Sequence, residues 1–392
     1  MERPFFAFND KYRFSAPVDT PTTQDQIATE ALCERQADHF MPLNGSDWEK
    51  PVFYRGTHIA YLSAELERCS KALESSRPWV CYWIVHSLCL LDQPISDDVK
   101  TRLVHFLKSC EAPGGGYAGS PGQVAHIAPT YAAVLALVSL ETEEALASIN
   151  RKTLASFLVS LHQPDGSFRM HVGGEVDIRG VYCALAVASI THILSPEMVE
   201  RTAEWLASCQ TYQGGFGGVV GTEAHGGYTF CGVAALTILG KMKLINMNTL
   251  LKWLSNRQMA FEGGFSGRSN KLVDACYSFW QGAVFSLIDT ELARENEPSL
   301  GKAFEARALE EYLMLCCQGG RGGLRDKPEK YCDPYHTCYA LSGLSIAQRY
   351  IPANEELLCG PDEALKITHP VYNVTASSHH MADGYFANAD SL

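Results

Sequence analysis

The sequence predicts an all-α fold, an α/α barrel (toroid) of about six helical hairpins around a central apolar cavity. Three features of the 392-residue chain lead to this prediction. A Gly-rich turn recurs along it, amphipathic segments precede the turns, and segments that are apolar nearly all round follow them. A helix without a polar face must be buried, whereas a helix with one polar face lies at the surface. The two kinds of segment therefore predict an inner and an outer layer of helices.

Five Gly-rich turns, GGGY, DGSF, GGFG, GGFS and GGL, each carry an apolar anchor residue. The anchors recur about every 50 residues, a period typical of repeat architectures. They are Tyr117, Phe168, Phe216, Phe265 and Leu324. Nine residues after each anchor stands a His or an Asp, and we call these five the register residues: His126, Asp177, His225, Asp274 and Asp333. Polar side chains kept in one register predict that the repeats gather them at one place.

The segments between the turns have the spacing of helices. In one segment of each repeat, charged and apolar residues alternate every three to four positions, which indicates a helix with one face in solvent. These outer segments are 151–162, 199–209, 249–257 and 306–317. The inner segments, which lack a polar face, are 128–140, 180–193, 231–240, 277–288 and 337–346. Residues 79–92 and 100–110 add a further inner and outer helix.

The hairpins predict three regions: an N-terminal extension (1–54), the α/α-barrel domain (55–350) and a C-terminal tail (351–392). An open solenoid is the alternative to a barrel. It would expose the apolar inner helices on its concave side, which favours the barrel. The register residues would then lie at the N-termini of the inner helices, where N–H groups and partial positive charge suit anions.

Composition argues against several classes of protein. The net charge of −12 disfavours nucleic acid as a partner, because phosphate binding favours a basic surface. The N-terminal stretch lacks the apolar core of a signal peptide, and no apolar run reaches transmembrane length. Fourteen cysteines at irregular spacing, without a C-x-x-C pair, are typical of reduced thiols. We therefore expect a soluble, cytoplasmic protein.

Asp274, Cys276 and His336 offer a carboxylate, a thiolate and an imidazole from adjacent repeats. Three protein ligands of mixed type are typical of a catalytic zinc ion that keeps a fourth position open. Residues two apart on a helix point to different sides, so Asp274 and Cys276 can converge only at an irregular helix entry. Each residue alone also fits a structural role, as a helix cap, a buried thiol or a core histidine. Their shared register favours zinc.

Basic, hydroxyl and aromatic side chains accompany this group. The basic and hydroxyl set suits a diphosphate leaving group and consists of Arg179, His225, Tyr228, Arg268, Lys271 and Tyr277. Aromatic residues of inner helices would line a cavity for a long apolar ligand, although such residues are more often plain core: Trp79, Trp83, Tyr131, Tyr182, Phe230, Phe279 and Trp280. No D-x-D-D or D-D-x-x-D sequence occurs, which argues against terpene cyclisation or ionisation by an aspartate–magnesium cluster.

Five segments closely resemble the β-subunits of protein farnesyltransferases. They are RPWVCYWIVHSL (77–88), GGEVDIRGVYCA (173–184), EAHGGYTFCG (223–232), GRSNKLVDACYSFWQ (267–281) and DPYHTCYALSGLSIAQ (333–348). The similarity covers residues from about 40 to 350. It implies an α/α barrel that forms a heterodimer with a helical α-subunit. Together they would transfer farnesyl from farnesyl diphosphate to the cysteine of a C-terminal C-a-a-X motif.

The resemblance also implies roles for individual residues. Asp274, Cys276 and His336 match the family's ligands to a zinc ion, and Asp326 matches an aspartate associated with magnesium and the diphosphate. The diphosphate-binding set, which stabilises the leaving group, is matched by His225, Arg268, Lys271 and Tyr277. The lining of the isoprenoid pocket is matched by Trp79, Arg179, Tyr182, Cys231 and Trp280, and contacts to the peptide end by Trp83 and Tyr335.

One residue and the C-terminal tail depart from the family pattern. Pro334 occupies a place where the family often has an aromatic residue. Proline favours extended geometry in the residue before it, so we expect an altered approach to His336. The tail resembles the family only around THPVYN (368–373), and we predict no function for it.

Two other functions remain open. The β-subunit of geranylgeranyltransferase type I would share the barrel and the zinc ligands, but the bulk of Trp79 favours the shorter farnesyl chain. A non-catalytic helical ring with structural zinc would be expected to supply a fourth protein ligand. The sequence offers no clear candidate for one.

Overall fold

The computed structural model describes residues 5–15, 18–40, 50–68 and 71–389. In this part of the chain regular structure is helical, with β-structure limited to isolated bridges, which confirms the all-α class. The α-helices are α1 (Pro21–Asp38), α2 (Arg55–Leu66), α3 (Arg77–Leu90), α4 (Asp97–Ser109), α5 (Ile127–Ser139), α6 (Glu143–Ala147), α7 (Arg151–Leu161), α8 (Ile178–Ile190), α9 (Pro196–Val199), α10 (Thr202–Ser208), α11 (Gly226–Leu239), α12 (Met247–Ser255), α13 (Tyr277–Arg294), α14 (Ala306–Glu311), α15 (Pro334–Tyr350) and α16 (Ala376–Ala387). No helix in these ranges is long and apolar enough to cross a membrane.

The chain forms two compact units. The first unit contains Met1–Ser63 and Leu251–Leu365, and the second contains Ala64–Leu250 and Lys366–Leu392. The predicted division into an extension, a barrel and a tail stays a prediction. Parts of the predicted extension (1–4, 16–17 and 41–49) and tail (390–392) lie outside the described residues.

The predicted inner and outer helices differ in burial as expected. In α5 every residue from Pro129 to Ser139 is buried, whereas α7 buries only the stripe Leu154, Phe157, Leu158 and Leu161. In the second unit α3 packs against α5, α5 against α8, and α8 against α11. In the first unit α15 packs against both α13 and α14. Consecutive inner helices are thus neighbours within each unit.

The Gly-rich turns share one construction. Each anchor pairs by an antiparallel bridge with a residue just after the preceding outer helix, as Tyr117 does with Glu111 and Phe168 with His162. All five anchors are at most 2% exposed. Gly115, with φ +91°, lies against the Thr153 backbone of α7, a place where a Cβ would clash. The turn therefore needs glycine both for its backbone conformation and for its contact with the next outer helix.

Four of the register residues are N-caps of inner helices, and the fifth lies just before one. Nδ1 of His126 accepts the Ala128 N–H, Oδ1 of Asp177 accepts the Arg179 N–H, and Nδ1 of His225 accepts the Gly227 N–H. Asp333, the N-cap of α15, accepts the His336 N–H. Asp274 accepts the N–H of Cys276, the residue directly before α13. The predicted location at the starts of the inner helices is confirmed.

Candidate functional site

The candidate metal centre lies in the first unit, at the entry to α13. The bridges Gln258–Phe265 and Ser266–Val273 fold the chain back on itself, and the Asp274 N–H donates to the Phe265 carbonyl at 3.0 Å. Oδ1 of Asp274 accepts the Cys276 N–H at 2.9 Å, and α13 begins one residue later. The two side chains therefore belong to an irregular helix entry, as predicted.

Asp274, Cys276 and His336 form one compact group. Their ligand atoms all lie within 4.8 Å of one another, and Nε2 of His336 is 3.4 Å from Oδ1 of Asp274. Cys276 is 3% exposed, and the other two side chains are partly buried. Among the described residues this is the one group of three or more His, Cys, Asp or Glu side chains with such spacing. The predicted convergence is confirmed.

Asp333 holds His336 in place. As the N-cap of α15 it accepts the His336 N–H on Oδ1 at 2.8 Å, and Oδ2 lies 2.6 Å from Nδ1 of the same residue. This contact places a hydrogen on Nδ1 and presents Nε2 to Asp274 and Cys276. Asp333 was predicted only as a register residue, and its pairing with the ring was missed.

Pro334 is the first residue of α15, where its missing N–H costs no hydrogen bond. Asp333 before it is extended, with φ −146° and ψ 162°, as the proline predicts. This is also the geometry that an N-cap residue adopts. The proline is therefore compatible with the cap that orients His336.

Burial and neighbouring charges shift the pKa of each member of the group. Burial raises the pKa of the Cys276 thiol, and the Asp274 carboxylate raises it further. Burial lowers the pKa of His336, but its hydrogen bonds to Asp274 and Asp333 outweigh that effect and raise the pKa to about 10. Burial opposes ionisation of Asp274 as well, yet His336 holds its pKa below the usual value. A metal ion would replace protons on Cys276 and His336.

Asp326 joins the same region through its backbone. Its carbonyl accepts the Ala275 N–H at 2.9 Å and the Tyr312 hydroxyl at 2.7 Å. Its carboxylate is paired with the Lys327 ammonium at 2.5 and 2.6 Å. Burial raises the pKa of Asp326, and the charge of Asp274 adds to this. The negative charge of Asp326 is thus balanced by the ammonium group of Lys327.

Other predicted residues of the first unit lie on the two segments that supply the metal group. Arg268 is half-buried and Lys271 is exposed, both in the turn before Asp274. Tyr277 packs on Gly267, where any Cβ would clash with its phenol, and burial raises the pKa of that phenol. Trp280 donates its indole N–H to the Tyr335 hydroxyl at 3.3 Å.

A second set of predicted residues lies in the second unit. Arg179 forms a two-point ion pair with Asp177, at 3.0 Å through Nε and 2.5 Å through a terminal nitrogen. This pairing raises the pKa of Arg179, and its guanidinium lies 5.8 Å from the centre of the Tyr228 ring. The Tyr228 ring is in turn 5.0 Å from that of His225. The structure therefore brings Arg179, Tyr228 and His225 together.

Aromatic rings from four inner helices form a continuous cluster in this unit. Trp79 of α3 lies 5.6 Å from both Trp83 and Tyr131, Tyr131 lies 5.4 Å from Tyr182, and Tyr182 lies 5.1 Å from Phe230. A cavity of about 640 Å³ beside Trp79 is also lined by Ser76, His126, Ala128 and His171. Cys231 is buried on α11. Of the clustered rings, Trp79 lines this cavity and offers apolar surface to a ligand there.

Comparison with known proteins identifies the family. A model of the prenyltransferase alpha-alpha toroid domain matches residues 53–374. Protein farnesyltransferase subunit beta of Pisum sativum is 39% identical, covering 84% of this chain and 93% of that protein. The protein of the same name from Schizosaccharomyces pombe is 38% identical, covering 93% of this chain and 98% of that protein.

The fold is shared with a solved structure. Candida albicans protein geranylgeranyltransferase-I complexed with GGPP matches with a TM-score of 0.71 at 21% identity, covering 86% of this chain and 99% of that chain. This likeness and the family match confirm the predicted α/α toroid fold class. The chain belongs to the prenyltransferase alpha-alpha toroid family and, within it, to the β-subunits of protein farnesyltransferases.

Proposed function

We propose that this chain is the catalytic β-subunit of a zinc-dependent protein farnesyltransferase that modifies the cysteine of C-terminal C-a-a-X motifs. The observation that carries the proposal is the group Asp274, Cys276 and His336, whose ligand atoms lie within 4.8 Å of one another. The relatives at 39% and 38% identity bear the name of this activity.

The three donors fit zinc. Thiolate and imidazole ligands suit zinc, whereas magnesium and calcium prefer oxygen ligands alone. A zinc ion held here would keep one position open for the substrate cysteine and lower the pKa of its thiol. We propose that Asp274, Cys276 and His336 hold this ion, with Asp333 orienting the imidazole.

The proposed reaction is a substitution at the first carbon of the farnesyl chain. The substrate sulfur forms a bond to that carbon while the carbon–oxygen bond to diphosphate breaks. The electron pair leaves with the diphosphate, and the thiol proton passes to solvent. Charge that builds on the leaving oxygens calls for hydrogen-bond donors and cations.

We assign that task to His225, Arg268, Lys271 and Tyr277. The cap to Gly227 uses Nδ1 of His225 as an acceptor, so the ring hydrogen is on Nε2, which makes that nitrogen a hydrogen-bond donor. Burial raises the pKa of Tyr277, which therefore keeps its hydroxyl proton as a donor. Arg268 and Lys271 add positive charge to the turn that carries Asp274.

We also propose a magnesium site at Asp326. Lys327 already pairs with both oxygens of Asp326, so a cation there must replace the ammonium. We propose that magnesium binds Asp326 only together with the diphosphate, whose oxygens complete its preferred ligand set. An Asp326→Ala variant should then lose any magnesium stimulation of turnover. Stimulation equal to that of the parent protein would refute this assignment.

We assign the isoprenoid to aromatic and apolar side chains. Trp79 and Tyr182 belong to the ring cluster of the second unit. Cys231 directly follows Phe230 on α11, and Arg179 on α8 is held by its ion pair with Asp177. We also propose that Trp280 contacts the isoprenoid and that Trp83 and Tyr335 contact the peptide end. The proposal for Tyr335 is supported by its place directly before His336.

The alternatives predict different measurements. We expect the full chain, co-expressed with a farnesyltransferase α-subunit, to co-purify with it, to contain zinc and to transfer farnesyl in preference to geranylgeranyl. Preference for geranylgeranyl diphosphate would favour a geranylgeranyltransferase type I β-subunit. Zinc without transfer of either isoprenoid would favour the non-catalytic ring. The thirteen described cysteines are all free thiols, which supports a cytoplasmic location for this reaction.

A further inference from the structure

The C-terminal segment around THPVYN forms a closed turn in the second unit. Thr368 and Thr375 pair by an antiparallel bridge, and the His369 N–H donates to the Val374 carbonyl at 2.7 Å. Thr368, Asn373, Val374 and Thr375 are each at most 1% exposed. We call residues 368–375 the C-terminal turn. Such burial of polar residues requires partners in the fold around them.

Three tyrosines from three successive inner helices provide those partners. Tyr182 of α8 donates its hydroxyl to the Val371 carbonyl at 2.8 Å, and Tyr82 of α3 donates to the Asn373 carbonyl at 2.6 Å. Between them, the Tyr131 hydroxyl of α5 lies 3.1 Å from the Tyr372 carbonyl and 3.0 Å from the Tyr182 hydroxyl. Consecutive carbonyls of the turn thus face one phenol from each helix.

Asn373 fixes the backbone that presents these carbonyls. Its φ of +56° lies in the left-handed region, which asparagine tolerates better than most residues. Its Oδ1 lies 3.1 Å from Nε2 of His86 and accepts the Thr368 hydroxyl at 3.0 Å. His86 stacks on Tyr82 with an interplanar angle of 6°. The side chain of Asn373 therefore links the turn to α3 a second time.

Tyr131 and Tyr182 belong to the ring cluster of this unit, and Tyr82 packs against it. Tyr82 and Tyr131 lie 6.1 and 5.6 Å from Trp79, and Tyr131 lies 5.4 Å from Tyr182. Each ring is fixed at one end by its helix and at the other by the C-terminal turn. A ring fixed at both ends cannot swing aside to lengthen a pocket, whereas a ring fixed only by its helix can change rotamer.

We propose that the C-terminal turn sets the length of isoprenoid that the enzyme accepts, by holding Tyr82, Tyr131 and Tyr182 in place. The inference rests on the proposed prenyltransferase function and gives the tail a part in it. A geranylgeranyl chain is one isoprene unit longer than farnesyl, so it needs room that the braced rings deny. Loosening the turn should therefore relax the choice between the two chains and leave the chemistry intact.

The test uses the full chain with its α-subunit and compares farnesyl with geranylgeranyl diphosphate. Tyr82→Phe removes one hydroxyl, and Asn373→Gly keeps the positive φ but loses the contacts to His86 and Thr368. We expect each to reduce the farnesyl-to-geranylgeranyl ratio of kcat/KM by on the order of tenfold. Ser189→Ala is the matched control, because the Ser189 hydroxyl bonds to the Tyr372 hydroxyl, at 2.8 Å, and not to the carbonyls that the three phenols contact. It should leave the ratio within about twofold.

Two results would overturn the inference. One is an unchanged ratio in both variants, and the other is an equal fall in Ser189→Ala, which would indicate general loosening of the fold. Thermal unfolding identifies any variant that fails to fold, and Tyr82→Phe, which loses a single atom, then decides alone. If the parent protein transfers neither isoprenoid, the proposed function fails. The ratio of the two diphosphates' Kd values, measured on the same variants, then decides the inference by itself.

Discussion

Asp333 holds both the backbone and the ring of His336, with Oδ1 accepting the N–H at 2.8 Å and Oδ2 lying 2.6 Å from Nδ1. One carboxylate thus starts α15 and aims the imidazole at Asp274 and Cys276. The two tasks use different oxygen atoms, so a single substitution can separate them.

Asp333→Asn should weaken zinc binding while keeping α15 intact. The amide oxygen can still accept the backbone N–H, but the amide is a poorer partner for Nδ1–H than a carboxylate. We expect a loss of about 10- to 100-fold in zinc affinity, measured by competition with a chromophoric chelator. Asp177→Asn makes the same change at the N-cap of α8 and should leave zinc affinity unaltered. Equal losses in both variants would contradict the orienting role.

Cys276→Ala should abolish zinc binding and turnover together. A carboxylate and an imidazole alone hold zinc weakly, because one of three protein ligands is gone. Binding of farnesyl diphosphate should persist, since its proposed contacts lie on other side chains. Metal analysis, turnover and diphosphate binding check the three parts. Cys338→Ala, at a fully buried cysteine of α15, is the control and should keep its metal; turnover by zinc-free Cys276→Ala would refute the mechanism.

Trp79→Ala should shift the preference towards geranylgeranyl diphosphate. The indole packs against Trp83 and Tyr131, and its removal opens space beside the existing cavity. We expect the farnesyl-to-geranylgeranyl ratio of kcat/KM to fall by on the order of 10- to 100-fold. Trp205→Ala, on outer helix α10, removes the same volume elsewhere. No shift, or the same shift in both variants, would remove Trp79 as a determinant of chain length.

Glu262→Gln should stabilise the protein above pH 7. Burial raises the pKa of Glu262 to about 7 from an ordinary value of 4.5, and Gln26 donates to its Oε1 at 2.8 Å. The folded protein therefore holds this proton more tightly than the unfolded chain. The stabilisation that this bound proton gives the folded state is complete below about pH 4.5 and is lost as pH rises through 7. The loss is on the order of 3 kcal/mol.

Denaturant unfolding of the heterodimer at pH values on both sides of 7 measures this effect. The Gln variant cannot ionise, so its stability should depend less steeply on pH than that of the parent. Glu204→Gln, at an exposed position on α10, should keep the parent's dependence. Identical pH profiles for Glu262→Gln and the parent would show that Glu262 does not cause the pH dependence of stability.

The sequence predicted the fold because its signals are local. The apolar faces of α5 and α8 and the register residues lie within single repeats, so periodicity reveals them. The apolar pattern predicts that α13 ends at 288, but the helix continues through the polar residues DTELAR to Arg294. The spacing of 306–317 predicts a single α-helix, but the segment changes to a π-helix at Tyr312.

The missed features depend on distant partners. Nothing in the periodicity relates Asn373 to Tyr82, or Gln26 to Glu262, since each pair is separated by more than 200 residues. The pairing of Asp333 with the His336 ring, by contrast, joins residues only three positions apart in the sequence. An aspartate three residues before a histidine at a helix start can serve as a cap and as a ring partner at once.

The helix caps of the repeats explain how one scaffold supports several kinds of chemistry. A cap requires a single acceptor atom, and aspartate and histidine side chains each carry two heteroatoms. The second heteroatom can therefore differ in its role from repeat to repeat. Oδ2 of Asp177 pairs with Arg179, and Oδ2 of Asp333 pairs with the His336 ring. Nε2 of His225 is the proposed donor to diphosphate. Evolution can thus exchange the reactive group of a repeat without rebuilding the helix that carries it.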